Sequence, residues 1–244
     1  MKLLRKHDGH LQVQQLRLVR RGGPSFTLFP MVHIADHAFF RQVAATADTH
    51  DMVLKEGSRT AAGRTANRTH RIASTANPGL AAQGTSMRES AGAHWVNSDL
   101  EPKRFNRFWR RIPVLRRILF HLLMPVLGLA LRLPHARRWL IDAMAEGPTS
   151  ADDSLDDIFG EGFHDVVVKQ RDKALIEACT HTIKTWDDGD VAVVWGAAHI
   201  PPLVMSLIGE HGYRITERNW VTLLSAPGKP AQPSTNSSRE YPCK

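Results

Sequence analysis

Only two cysteines occur in 244 residues, Cys179 in a predicted helix and Cys243 near the end of the chain. Two thiols cannot build a disulfide framework or a cysteine-based zinc module. The first ten residues lack the apolar run of a secretory signal, which points to a cytoplasmic protein. No GxSxG, HExxH, GxGxxG or P-loop pattern occurs, so neither a serine hydrolase nor a nucleotide-binding enzyme has local support. The longest uncharged apolar stretch, Ile118 to Leu131, is broken by His121 and Pro125 and falls short of the roughly 20 residues a membrane span needs.

Acidic residues are missing from one long segment. Between Pro102 and Ile141 there are ten Lys and Arg and no Asp or Glu, while the whole chain carries a formal charge of +8. The basicity therefore belongs to that segment, and the remainder is slightly acidic. A general nucleic-acid-binding domain does not fit that distribution, although Phe105-Asn-Arg-Phe-Trp-Arg-Arg111 interleaves aromatic and basic residues. Arginines flank the apolar stretch on both sides, a pattern that fits either a helical hairpin at an anionic membrane surface or a core or dimer-forming helix with solvated ends.

The remaining pattern is that of an ordinary globular fold, with 42% apolar and 23% charged residues. Alternation predicts a strand over Leu11 to Val19, and Gly22-Gly23-Pro24 marks a turn. Buried-strand runs follow at Phe26 to Val32 and Met52 to Leu54, with a helix from Asp36 to Ala47 between them. That order predicts an α/β unit with adjacent parallel strands. A short strand is expected over His94 to Val96, and helices over Phe105 to Met144, with Pro113, Pro125 and Pro134 as kinks or boundaries. The acidic stretch Ala151 to Asp165 reads as a solvated loop or helix start. Val166 to Trp186 reads as a helix, Val191 to Trp195 as a buried strand, Leu203 to Ile208 as part of a helix, and Tyr213 to Leu224 as a last strand. Together these predict a single α/β domain over 1–225, its mixed or mostly parallel central sheet flanked by helices. A helical region is inserted at about 101–150, and a disordered tail follows at 226–244.

Two segments share a layout. Phe26 to Ile34 and Ala192 to Ile200 each run from an apolar strand through a short turn to a His-Ile pair and then a helix. Strand carboxyl ends of a parallel sheet converge on one edge, so His33 and His199 are expected in one crevice. Neutral imidazole binds metals and titrates near physiological pH, which suits it to either role; a lone histidine there could equally cap a helix or pack under a loop.

The turn Gly196-Ala-Ala-His199 resembles the GxxH motif of the TraB/PrgY/GumN proteins. Their superfamily takes in Tiki, ChaN-like and erythromycin-esterase-like proteins. Met31-Val-His33-Ile-Ala-Asp36 is similar to that family's first histidine motif, Lys55-Glu56-Gly57 to its Glu-Gly, and Val168-Lys-Gln-Arg171-Asp172 to its Arg-Asp pair. The four blocks come in order over residues 11 to 224. One departure stands out, because the first motif ordinarily begins with Gly and this chain has Pro30.

The resemblance implies a catalytic set of His33, Glu56, Arg171 and His199. Tiki-like members are metal-dependent proteases, and ChaN-like ones are associated with haem or iron. By that analogy His33, Glu56 and His199 would hold a divalent metal ion, and Arg171 would stabilise an oxyanion or clamp a carboxylate. Asp172 would orient Arg171 or favour a helix N-terminus. The expected activity is a metal-dependent, peptidase-like hydrolase acting on a peptide or small molecule, with a homo-oligomer left open. The competing reading, favoured by Pro30, is a non-catalytic membrane-associated protein that sequesters a peptide, haem or metal. His37 reads as a surface residue; Asp99 lies near a candidate strand end and could reach the same edge, although a cap before Glu101-Pro102 is the favoured reading.

Overall fold

Side chains alternating along the strands decide the layering. On the strand Asp190–Gly196, Val191, Val193 and Trp195 face one apolar core while Ala192 and Val194 face another. Phe26 and Leu28 likewise oppose Phe29 and Met31 on Ser25–Met31. A sheet buried on both faces must be covered by helices on both. The structure, a computed structural model, describes residues 1–57, 59–75, 79–87, 93–133, 135–146 and 163–227. It has the expected α/β architecture: a mixed central sheet with a block of parallel strands, flanked by helices, and a helical insertion in the middle of the chain.

The main sheet contains β1 (Leu4–His7), β2 (His10–Val19), β3 (Ser25–Met31), β5 (Met52–Lys55), β7 (His94–Asn97), β8 (Asp190–Gly196) and β9 (Arg214–Leu224). Two three-residue strands, β4 (Ile34–Asp36) and β6 (Leu80–Ala82), pair separately and antiparallel. Strands β3, β8, β5 and β7 form a parallel block in that order, and β2 adds β1 and β9 in antiparallel fashion. The expected adjacency of the strands on either side of helix α1 (His37–Ala47) is corrected here. Strand β8, from the far end of the chain, lies between β3 and β5 and pairs with both.

Strand β1 was not foreseen, although its signal is present. Asp8 and Gly9, both at positive φ, form the two-residue loop between His7 and His10, and an Asp-Gly pair favours that kind of hairpin turn.

Helix α1 packs on one face of the sheet; α7 (Gln170–Thr185) and α8 (Ile200–Gly209) pack on the other. The insertion supplies α4 (Pro102–Trp109), α5 (Val114–Ala130) and α6 (Ala136–Glu146), and α4 meets α5 at a bend of 113°. Pro113 stands at the α5 start and Pro125 lies inside α5. Helix α5 docks on α2 (Ala61–Ser74), which is rich in Ala, Thr and Arg. A short helix, α3 (Gln83–Ser86), follows β6. Arg137 on α6 ties the insertion back to the sheet through Asp36 and the Ser225 carbonyl, and Asp36 also accepts from the Ser225 amide and hydroxyl.

Of the solvated loop or helix start expected over 151–165, residues 151–162 lie outside the described residues, as do the boundary role of Pro134 and the expected disorder of 228–244. The end of that stretch leads into the turn that starts at Asp165, and Phe163 and His164 there are buried, not solvated. No single helix among the described residues is long and apolar enough to cross a membrane.

Gly128 on α5 sits where an added Cβ would come within 2.9 Å of the Thr69 carbonyl oxygen on α2. A backbone atom cannot be displaced cheaply, so Gly128→Val is expected to destabilise the fold by about 1–3 kcal/mol. Thermal unfolding would show this as a lowered midpoint, while Gly209→Ala, which meets no neighbour within 4 Å, serves as the control.

Candidate functional site

The four parallel strands end side by side, and the residues just beyond them build the site. Val32 and His33 follow β3, Glu56 follows β5, Ser98 and Asp99 follow β7, and the turn to His199 follows β8. A π-helical turn, Asp165–Lys169, leads into α7, so Arg171 and Asp172 stand in the first turn of that helix. Ligands of open parallel sheets ordinarily bind at this edge.

Arg171 is the centre. Its Nε and Nη2 donate to the two Asp99 oxygens at 2.8 and 2.9 Å, and Nη2 also donates to Glu56 Oε1 at 2.5 Å. The other Glu56 oxygen accepts from the Gly196 amide at 2.7 Å. The Arg171 side chain is 10% exposed and that of Asp99 only 1%, so this ion cluster is buried. The guanidinium also lies over the Trp195 ring, whose Nε1 donates to Ser98 Oγ. Burial opposes the charge on Glu56, but attraction from Arg171, His33 and His199 outweighs it and holds the carboxyl well below the usual range. Arg171 likewise overcomes its burial through Glu56 and Asp99 and stays protonated more firmly than usual.

The two histidines are placed unequally. His33 is exposed, lines the large cavity and stacks on His70 with centroids 4.5 Å apart. Burial, with His33 beside it, lowers the pKa of His70 to about 3, so His70 is neutral at pH 7. His199 is buried, does not line that cavity, and is bonded through Nδ1 to Asp172 Oδ1 at 2.6 Å. A carboxylate there favours the tautomer with the proton on Nδ1. Asp172 thus orients His199 rather than Arg171, while standing in the first turn of α7 as the alternative expectation had it. Gly196 permits the crowding, since a Cβ there would meet Glu56 Oε2 at 3.1 Å and His199 Cδ2 at 3.3 Å.

The duplicated layout is offset by one residue in space. Parallel register sets Met31 level with Gly196 and Pro30 level with Trp195. Pro30 therefore lies within β3, not in the turn, and its departure from the family pattern falls before the site.

The cavity has a volume of about 990 Å³ and two contrasting ends. His33, Glu56, His70 and Arg171 line one part; Phe105, Trp109, Phe120 and Phe163 line another; and Arg59, Arg64, Arg68 and Arg71 border it from α2 and the turn before it. Asp99 does not cap α4, whose N-cap residue is Glu101, but takes the alternative place at the strand edge and grips Arg171. Its position just past a predicted strand was the available signal. His70, within α2, follows no predicted strand and carried no such signal. His37 is exposed, as expected of a surface residue.

The proposed ligand set His33, Glu56 and His199 does not fit a metal ion in this arrangement. Both Glu56 oxygens are engaged by Arg171 and the Gly196 amide, and buried His199 does not line the cavity that His33 and Glu56 share. Among the described residues no group of three or more His, Cys, Asp or Glu is disposed to hold one. Searches against protein-family models, curated proteins and solved structures found no match to this chain.

Removing Arg171 leaves two buried carboxylates without their cation. Arg171→Met is expected to cost about 3–5 kcal/mol in chemical denaturation. The pH dependence has a defined sign. Because Glu56 is depressed below its ordinary 4.5, its stabilisation is complete above that pH and is lost as pH falls further. His70 adds to the acid loss between 6.5 and about 3, where the unfolded chain binds a proton that the folded one refuses. In Arg171→Met, burial without the guanidinium raises the Glu56 pKa above its ordinary value, so the stability lost relative to wild type should be greatest at neutral pH and shrink as pH falls through 4.5, as denaturant unfolding followed by circular dichroism at pH 7 and pH 4 would show.

Proposed function

We propose that this protein hydrolyses an amide or ester bond in a peptide-like substrate bound at the carboxyl edge of the sheet, as its resemblance to the TraB/PrgY/GumN proteins implies. The single observation carrying this reading is the convergence on one cavity of an exposed imidazole, His33, with the buried Glu56–Arg171–Asp99 cluster.

His33 is the group placed to take a proton from water. The proton it accepts would lie close enough to the Glu56 carboxylate for the two charges to attract. Water oxygen bonds to the acyl carbon, and the oxyanion that forms faces the Arg171 guanidinium. His33 then returns the proton to the departing nitrogen or oxygen as the scissile bond breaks. Neutral His70 supports the His33 ring by stacking. The Asp172–His199 pair is a positioning element, with His199 packed against the Gly196 turn whose amide holds Glu56. No step is routed through a metal, given the poor fit of His33, Glu56 and His199. The arginines on the cavity rim favour a substrate bearing a carboxylate or similar anion, and the aromatic end favours an apolar group beside it. The expected setting is cytoplasmic, at the inner face of a membrane.

A second reading has its own support. The stacked His33–His70 pair and the wall of Phe105, Trp109, Phe120 and Phe163 would retain a flat apolar ligand such as haem, or a peptide, without turnover.

Hydrolysis of fluorogenic peptides and of aryl esters by purified protein, with and without a chelator, tests the proposal. His33→Ala is expected to lower kcat/KM by about 100-fold or more, and Glu56→Gln to lower it comparably, with chelator making no difference. Equal rates in wild type and His33→Ala would overturn the assignment. Absence of turnover together with saturable haem or peptide binding would establish the second reading instead.

A further inference from the structure

The outward side of α5 is apolar from end to end. Leu115 is 77% exposed, Leu122 63%, Val126 61% and Leu129 55%, and their spacing follows one face of a helix. The helix cannot roll to hide them, because its other side is already engaged. Phe120 is buried, Gly128 lies against Thr69, and His121 Nδ1 is 2.8 Å from the Thr65 hydroxyl. Leu133, just past α5, is exposed as well. A contiguous apolar surface of this kind on a folded protein marks a contact site.

Charge says what covers it. Exposed Arg110 and Arg111 precede α5 and exposed Arg132 and Arg138 follow it, within a segment that holds no acidic residue from Pro102 to Ile141. A second copy of this chain would fit poorly, because both ends of the helix are basic and either orientation of a two-fold pair brings arginines together. A lipid surface with negative headgroups satisfies both features, taking leucines into the acyl boundary and arginines at the phosphates. With 17 residues, α5 is shorter than the roughly 20 needed to cross. Helix α4 turns away at 113° and keeps Phe105 and Trp109 within the protein.

We propose that α5 lies in the plane of an anionic phospholipid surface and is the membrane-docking element of this protein. The inference rests on the exposed face and its arginine borders, so it stands or falls separately from the hydrolytic reading.

Co-sedimentation of the full chain with vesicles of phosphatidylcholine, alone or mixed with phosphatidylglycerol, provides the test. Wild-type protein should pellet with the mixed vesicles, pellet far less with the neutral ones, and be released by raised salt. The triple variant L115S/L122S/V126S changes only exposed side chains, and its fold is checked by circular dichroism and thermal unfolding. It should bind mixed vesicles about tenfold more weakly or worse. In R110E/R132E the difference between mixed and neutral vesicles should shrink. Three outcomes would overturn the proposal: wild-type protein that stays in the supernatant, equal pelleting by a folded triple variant, or a wild-type dimer by light scattering that becomes monomeric in the triple variant while neither binds vesicles.

Discussion

Two carboxylates cannot be buried as anions beside one another unless a cation is held between them. Arg171 meets that constraint. Its guanidinium joins β5 through Glu56 and β7 through Asp99, while the second Glu56 oxygen reaches the amide at the end of β8. One side chain from the start of α7 thereby fixes the ends of three parallel strands. The exchange is reciprocal, since the attraction that keeps Glu56 ionised also keeps Arg171 charged against the cost of leaving water. Glu56 and Arg171 of this cluster line the cavity.

Around it, the two histidines that look alike in sequence do different work. His33 sits two residues past Met31 and reaches the cavity; His199 sits three past Gly196 and turns into the protein to meet Asp172. That single extra residue, coiled into the 3-10 turn Ala197–His199, separates an accessible imidazole from a buried and oriented one. Adjacent residues on α7 divide in the same way, with Arg171 facing the β5 and β7 ends and Asp172 facing the β8 turn.

The helical insertion serves two surfaces at once. Phe105, Trp109 and Phe120 close the aromatic part of the cavity, while the opposite side of α5 presents leucines outward. Phe120 in that wall and the proposed lipid-facing leucines lie on two sides of one helix, α5. A substrate with an apolar group and an anionic one would meet similar chemistry in both places.

Local sequence determined much of this. Period-two alternation marked β2, short apolar runs marked β3 and β8, an acid-free arginine-bordered stretch marked the insertion, and the residues after the strand candidates identified His33, Glu56 and His199 as neighbours of one edge. These are short-range signals, carried by a few residues each. Which strands would be adjacent was not among them. Inserting β8 between β3 and β5 pairs residues more than a hundred positions apart, and no local pattern encodes that choice. Nor could sequence assign Asp99 to Arg171, Asp172 to His199, or His70 to His33, because each pairing depends on the direction a side chain takes once the sheet has closed. Propensity and spacing placed the groups on the edge, and only the packing of distant segments decided which charge each would face.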